Sequence, residues 1–269
     1  MRRLIIVAAG LTASAVASCA VAGCGSSSSS TPASSPSTTR STGVSTSGAI
    51  TVFAAASLQG SFTQLGQQFE ALHPGSKVTF SFGPSSGLAT QIINGAPADV
   101  FASAAVHNMN QVVSAGKAAG ASDFARNKME IAVPPGNPGH VSSVRSLARS
   151  SVKVAVCQPQ VPCGVVAKKV FSKASVSVTP VTLETDVKSV LTKVELGDVD
   201  AGMVYVTDVK AAGSKVKGVA IPSSENATTT YPIATISKSS HAATARAFVN
   251  YVMSPAGEKV LAADGFEKP

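Results

Sequence analysis

From residue 49 onward, short apolar runs alternate with amphipathic stretches. Ile50-Thr51-Val52-Phe53 reads as a strand. After a small-residue turn, Leu58, Phe62, Leu65, Phe69 and Leu72 recur at spacings of four, three, four and three, which is one apolar stripe on a helix. His73-Pro74-Gly75 stops that helix. The same reading places strands at residues 77–82, 99–102, 128–133, 152–156, 176–181, 201–204, 216–221 and 231–236. It places helices near residues 88–93, 105–114, 143–149, 164–172, 184–196, 242–253 and 256–263. Strand–helix alternation predicts a parallel or mostly parallel sheet with covered faces. Two runs of it, parted at Pro134-Pro135-Gly136, predict two lobes.

The first 48 residues break the pattern. Arg2 and Arg3 precede an apolar stretch over residues 4–17, too short for a comfortable membrane span and typical of a processing signal. Val21-Ala22-Gly23-Cys24 resembles a bacterial lipoprotein signal, with Cys24 the lipidated residue and Cys19 a poorer alternative. A secretory signal cut nearby without lipid also fits, and either puts the mature chain outside the cytoplasm. Residues 25–48 are Ser, Thr, Pro and Gly with almost no apolar content, a composition that does not fold. As a flexible tether this linker would span about 25–30 Å.

Composition narrows the function classes. The 269 residues are 44% hydrophobic, enough for a sizeable core. The net charge of +8 is spread as single basic residues, without a basic run or interleaved aromatics, which speaks against nucleic-acid binding. Outside the leader the only cysteines are Cys157 and Cys163. A pair this close in an oxidising compartment predicts a disulfide, and without a nearby His or second pair it makes poor zinc spacing.

Ligands of open α/β sheets bind beyond the carboxyl ends of strands. Ser57, Ser85, Cys163 and Tyr205 fall there. Taken alone, Ser57 fits a helix N-cap as well as a ligand donor, Tyr205 fits a core tyrosine, and Val187 belongs to the apolar face of its helix. Gly83-Pro84-Ser85-Ser86-Gly87 also satisfies the G-x-S-x-G pattern of hydrolases, with Asp186 or Asp208 and then His241 in the chain order of a triad. Pro84 sits awkwardly in such an elbow, and no HGGG-type stretch occurs.

Five stretches carry a resemblance. Residues 50–58 (ITVFAAASL), 82–89 (FGPSSGLA), 95–101 (GAPADVF), 158–164 (QPQVPCG) and 202–208 (GMVYVTD) are similar, in order, to the bacterial periplasmic molybdate-binding proteins of ABC importers. The resemblance implies a type II periplasmic-binding-protein fold: two α/β lobes of mixed sheets flanked by helices, with the ligand in the cleft between them. It implies chain crossings near Lys128 and Tyr231, hence one lobe of residues 49–128 with 231–269 and another of residues 129–230. The molybdate donors it implies are the hydroxyls of Ser57, Ser85 and Tyr205 and the backbone N–H groups of Cys163 and Val187. The family often has Ala where this chain has Cys163; a backbone donor is indifferent to that change. No catalytic residue, cofactor or separate cation site is implied. The implied ligand is molybdate, with tungstate. The implied partners are an ABC permease and ATPase, and the membrane through a lipid anchor; the implied state is a monomer. A receptor for sulfate or another oxyanion is the competing expectation.

Overall fold

The structure, a computed structural model, describes residues 46–269. The expected leader over residues 1–24, with Cys24 and Cys19, and all but the last three linker residues lie outside the described residues.

The chain opens as β1 (Gly48–Ala55), α1 (Gln59–Leu72), β2 (Ser76–Gly83), α2 (Ser85–Ile93), β3 (Val100–Ala102) and α3 (Val106–Ser114). Pleating puts alternate side chains of β1 on opposite faces. Ile50, Val52 and Ala54 join a core with Phe62, Leu65 and Phe69 of α1. Phe53 joins a separate core with Leu88, Ile92, Phe101 and Met109. Both faces of this sheet are therefore covered, which is why its strands read as continuous apolar runs. Leu72, the last residue of the expected α1 stripe, overshoots the core and is 62% exposed.

Two long strands tie the chain together. β4 (Ala118–Val133) and β9 (Thr228–Ile236) run antiparallel. Residues up to Lys128 of β4 pair with β9, and from Met129 onward β4 pairs with β7 (Ala201–Tyr205) and β8 (Lys217–Ala220). Between them lie β5 (Val154–Cys157), α4 (Pro162–Lys173), β6 (Thr182–Glu184), α5 (Val187–Glu195) and α6 (Val206–Ala212). α7 (Ala242–Val252) and α8 (Pro255–Asp264) close the chain. The strand order is β2-β1-β3-β9-β4-β7-β5-β6, with β8 on β4. One core draws only on residues 129–227, and the other two draw on residues 50–125 and 231–266.

Several expectations change. The sheet is mixed, as the resemblance implies, rather than mostly parallel as the strand–helix alternation alone predicts: β1–β2, β1–β3, β5–β6 and β5–β7 are parallel, but every pairing of β4 and β9 is antiparallel. β4 begins ten residues before the expected strand at 128. Its first half is small and polar, and β9 rather than apolar alternation holds it extended. Residues 176–181 form no strand; Val176 and Val178 pack on the core from a loop, and β6 takes the sheet edge. Residues 143–149 hold only a 3-10 turn over Val144–Ala148. α6 was not expected: it is a single short helix set up by Asp208 folding back on Tyr205. No described helix is long and apolar enough to cross a membrane.

Candidate oxyanion site

The five candidate ligand residues meet in one cavity. Ser57, Ser85, Cys163, Val187 and Tyr205 all line it, with Ala56, Pro84, Ala104 and Asp186 among their neighbours. They arrive from the ends of β1 and β2, the starts of α4 and α5, and the end of β7. The cavity offers the centre of a water-sized sphere about 20 Å³.

Each donor is set by its local fold. Ser57 lies inside a 3-10 turn, Ala56–Leu58, and caps neither that turn nor α1. Its Oγ is 2.8 Å from the hydroxyl of buried Tyr231. Ser85 is the first residue of α2, and its Oγ accepts from the Ala104 N–H at 2.9 Å, leaving its own proton free to donate.

α4 begins without a side-chain cap, at Val161 followed by Pro162. Cys163, next in line, therefore has an N–H with no intrahelical partner. The Cys157–Cys163 disulfide closes the loop in front of it, with the two Cα atoms 5.7 Å apart. That loop is tight enough that a Cβ on Gly164 would lie 2.0 Å from the Gln158 carbonyl oxygen. At α5 the cap is Asp186, whose Oδ1 accepts from the Ser189 N–H at 2.9 Å and whose Oδ2 accepts from the Ser189 hydroxyl at 3.2 Å. Val187 is the first helical residue, so its N–H is likewise free of the helix.

Tyr205 is 1% exposed, and among the described residues its hydroxyl makes no well-formed hydrogen bond. Burial, then the neighbouring Tyr231 and Asp208, push its pKa well above the ordinary tyrosine range. Its backbone N–H donates to Asp208 Oδ2 at 3.0 Å. The other Asp208 oxygen is 2.9 Å from Lys188 Nζ. Burial raises the Asp208 pKa, and Lys188 opposes the rise. Among the described residues, no Lys, Arg or His lines the cavity.

The triad is not assembled. His241 precedes α7, hydrogen bonded to Ser240 with its ring against Gly48, while Asp186 and Asp208 are held by Ser189, Tyr205 and Lys188. Ser85 bonds a backbone amide instead. The described residues contain no cluster of three or more metal-ligating side chains. The supporting roles of four residues were not read from the sequence: Tyr231, Lys188 and Asp208 as a pair, and Gly164. The three-residue step from Tyr205 to Asp208 is a capping spacing and was readable; Tyr231, 174 residues from Ser57, left no local signal.

Residues 50–267 match the family model of bacterial extracellular solute-binding proteins. Molybdate-binding protein ModA of Mycobacterium tuberculosis is 45% identical over 222 residues, 82% of this chain and 85% of the relative. The solved Azotobacter vinelandii periplasmic molybdate-binding protein matches with a TM-score of 0.73 at 22% identity, covering 82% of this chain and 99% of that one. The sulfate-binding protein SubI from M. tuberculosis matches equally, with a TM-score of 0.73 at 21% identity over 82% and 86% of the two chains. These structural likenesses establish the periplasmic-binding-protein fold and leave the ligand to other arguments.

Proposed function

Because this chain belongs to the bacterial extracellular solute-binding proteins, in the family of the ModA molybdate-binding proteins, we propose that it captures molybdate, and tungstate with it, and delivers the anion to an ABC importer. The observation that carries the reading is the buried Tyr205 hydroxyl, which has no well-formed hydrogen bond and only the neighbouring Tyr231 hydroxyl as a partner, in a cavity lined among the described residues by donors and by no Lys, Arg or His. A tetrahedral dianion stripped of water needs a full set of donors. The hydroxyls of Ser57, Ser85 and Tyr205 and the N–H groups of Cys163 and Val187 supply one. A protonated anion such as hydrogen phosphate would also need an acceptor. The one carboxylate in the lining, Asp186, is committed to capping α5, each oxygen accepting from Ser189. Sulfate is also fully deprotonated, and its smaller size works against it; the 45% identity to ModA favours the larger anions.

In this reading the lobes are residues 49–128 with 231–269 and residues 129–230, closing over the anion about the crossings near Lys128 and Tyr231. The switch of β4 partners after Lys128 supports that division. The mature chain is a monomer, held to the membrane by lipid on Cys24 or, failing that, Cys19, beside its permease and ATPase. Thermal and calorimetric titration with an oxyanion panel tests the ligand. Molybdate and tungstate at a hundredfold excess over Kd should stabilise the protein by about 2.7 kcal/mol, and sulfate and phosphate should do little. A sulfate response equal to that of molybdate overturns the assignment.

A further inference from the structure

We infer that Tyr231 is a positioning residue of the oxyanion site: its hydroxyl donates to Ser57 Oγ and thereby turns the single hydroxyl proton of Ser57 into the cavity. The inference rests on the oxyanion reading above.

The two oxygens are 2.8 Å apart, so one proton lies between them. A hydroxyl carries one proton and two lone pairs. If Ser57 donated to Tyr231, it would present only lone pairs to the cavity and repel an anion whose oxygens only accept. If Tyr231 donates, the Ser57 proton is free for the ligand. A phenol is a better donor than an aliphatic alcohol, which favours the second arrangement. Burial holds the Tyr231 hydroxyl protonated far above neutral pH, so the donor persists.

Tyr231 is built to hold still. It is fully buried on β9, opposite Ala125 of β4. Its ring lies edge-on to Phe266 at 5.3 Å, to Phe124 at 6.2 Å and to Tyr205 at 6.3 Å. Ser57, by contrast, sits in a turn where no cap bond uses its side chain, and the Tyr231 hydroxyl is its hydrogen-bond partner among the described residues. Tyr231 itself does not line the cavity, so it acts through Ser57 rather than on the ligand.

The test is a double-mutant cycle read by calorimetric titration of the protein with sodium molybdate. Tyr231→Phe keeps the ring and removes only the donor. It should weaken binding about three- to tenfold, the range of one net hydrogen bond. The same loss should appear in a Ser85→Ala background. In a Ser57→Ala background, where no hydroxyl is left to orient, Tyr231→Phe should change affinity less than about twofold. Unchanged affinity of Tyr231→Phe in the wild-type background overturns the inference. So does a loss of equal size in all three backgrounds, which would mark general loosening of the core. A wild-type protein that binds neither molybdate nor tungstate overturns the ligand assignment itself, a different outcome from wild-type binding that Tyr231→Phe leaves intact.

Discussion

Replacing Tyr205 by Phe should move ligand-free stability and ligand affinity in opposite directions. The ring is 1% exposed, and Phe refills its volume. The hydroxyl has no well-formed bond among the described residues and only the Tyr231 hydroxyl beside it, and a buried hydroxyl left unsatisfied costs about 1–3 kcal/mol. Removing it should leave the ligand-free protein as stable or more stable by up to that amount. The backbone bond from Tyr205 to Asp208 survives the change. In the proposed complex, the same hydroxyl would donate to a charged oxygen, an interaction of about 1.5–3 kcal/mol. Its loss should weaken molybdate binding by about 10- to 150-fold. At a concentration giving the wild type about 2.7 kcal/mol of stabilisation, a thirtyfold weaker variant gains only about 0.9 kcal/mol. Urea unfolding with and without molybdate, beside calorimetry, reads both effects. A ligand-free variant destabilised by more than about 1 kcal/mol would show that the hydroxyl was already satisfied, and affinity within about twofold of wild type would show that it faces no ligand oxygen.

Gly164→Ala would place a methyl 2.0 Å from the Gln158 carbonyl and 2.8 Å from that of Cys157. The start of α4 must shift by about 1 Å, which should cost about 1–3 kcal/mol of stability and tenfold or more in molybdate affinity; wild-type calorimetry for this variant would contradict the account. Replacing Cys157 and Cys163 together by Ser opens a small loop and should lower the urea stability by about 2 kcal/mol, with weaker binding because the Cys163 N–H loses its anchor. An unchanged unfolding midpoint would refute that role. Both Tyr205 and Tyr231 have raised pKa values from burial, so the folded state keeps protons that the unfolded chain releases above about pH 10. Their contribution is intact below that pH and falls as pH rises toward the folded values, by up to about 1.4 kcal/mol per pH unit per tyrosine. Of the three tyrosines, only Tyr251 should ionise before alkaline unfolding in an absorbance titration, and early reversible ionisation of all three would be the contrary result.

What could be read from the sequence follows the range of the forces involved. α1 was legible because one face of it is buried and the 3.6-residue period records that fact; Leu58, Phe62, Leu65 and Phe69 are all fully buried. Ser57, Ser85, Cys163, Val187 and Tyr205 were legible as a set only through the resemblance, since each alone fits a cap or a core position. Their convergence is a product of strand order, and the structure supplies it. The first half of β4 was not legible: Ala118–Asn127 lacks an apolar alternation and owes its extension to β9, over 100 residues away. α6 has seven residues, too few for a periodic signal, and is set by the capping contact of Asp208.

In the proposed reading, the Lys188–Asp208 pair lets the site select by hydrogen-bond polarity instead of net charge. Lys188 directly follows the donor Val187, close enough that a free ammonium there would attract any small anion, protonated or not. The buried Asp208 carboxylate holds that ammonium at 2.9 Å and is itself tied to the Tyr205 backbone. The positive ends left facing the cavity are then the starts of α2 and α4, each worth about half an elementary charge, since the Asp186 carboxylate already caps α5. Together they offset about half of a dianion while demanding that every ligand oxygen accept a hydrogen bond. One Lys–Asp pair thus fixes the spacing of two donors and removes the point charge that would blur the choice among anions.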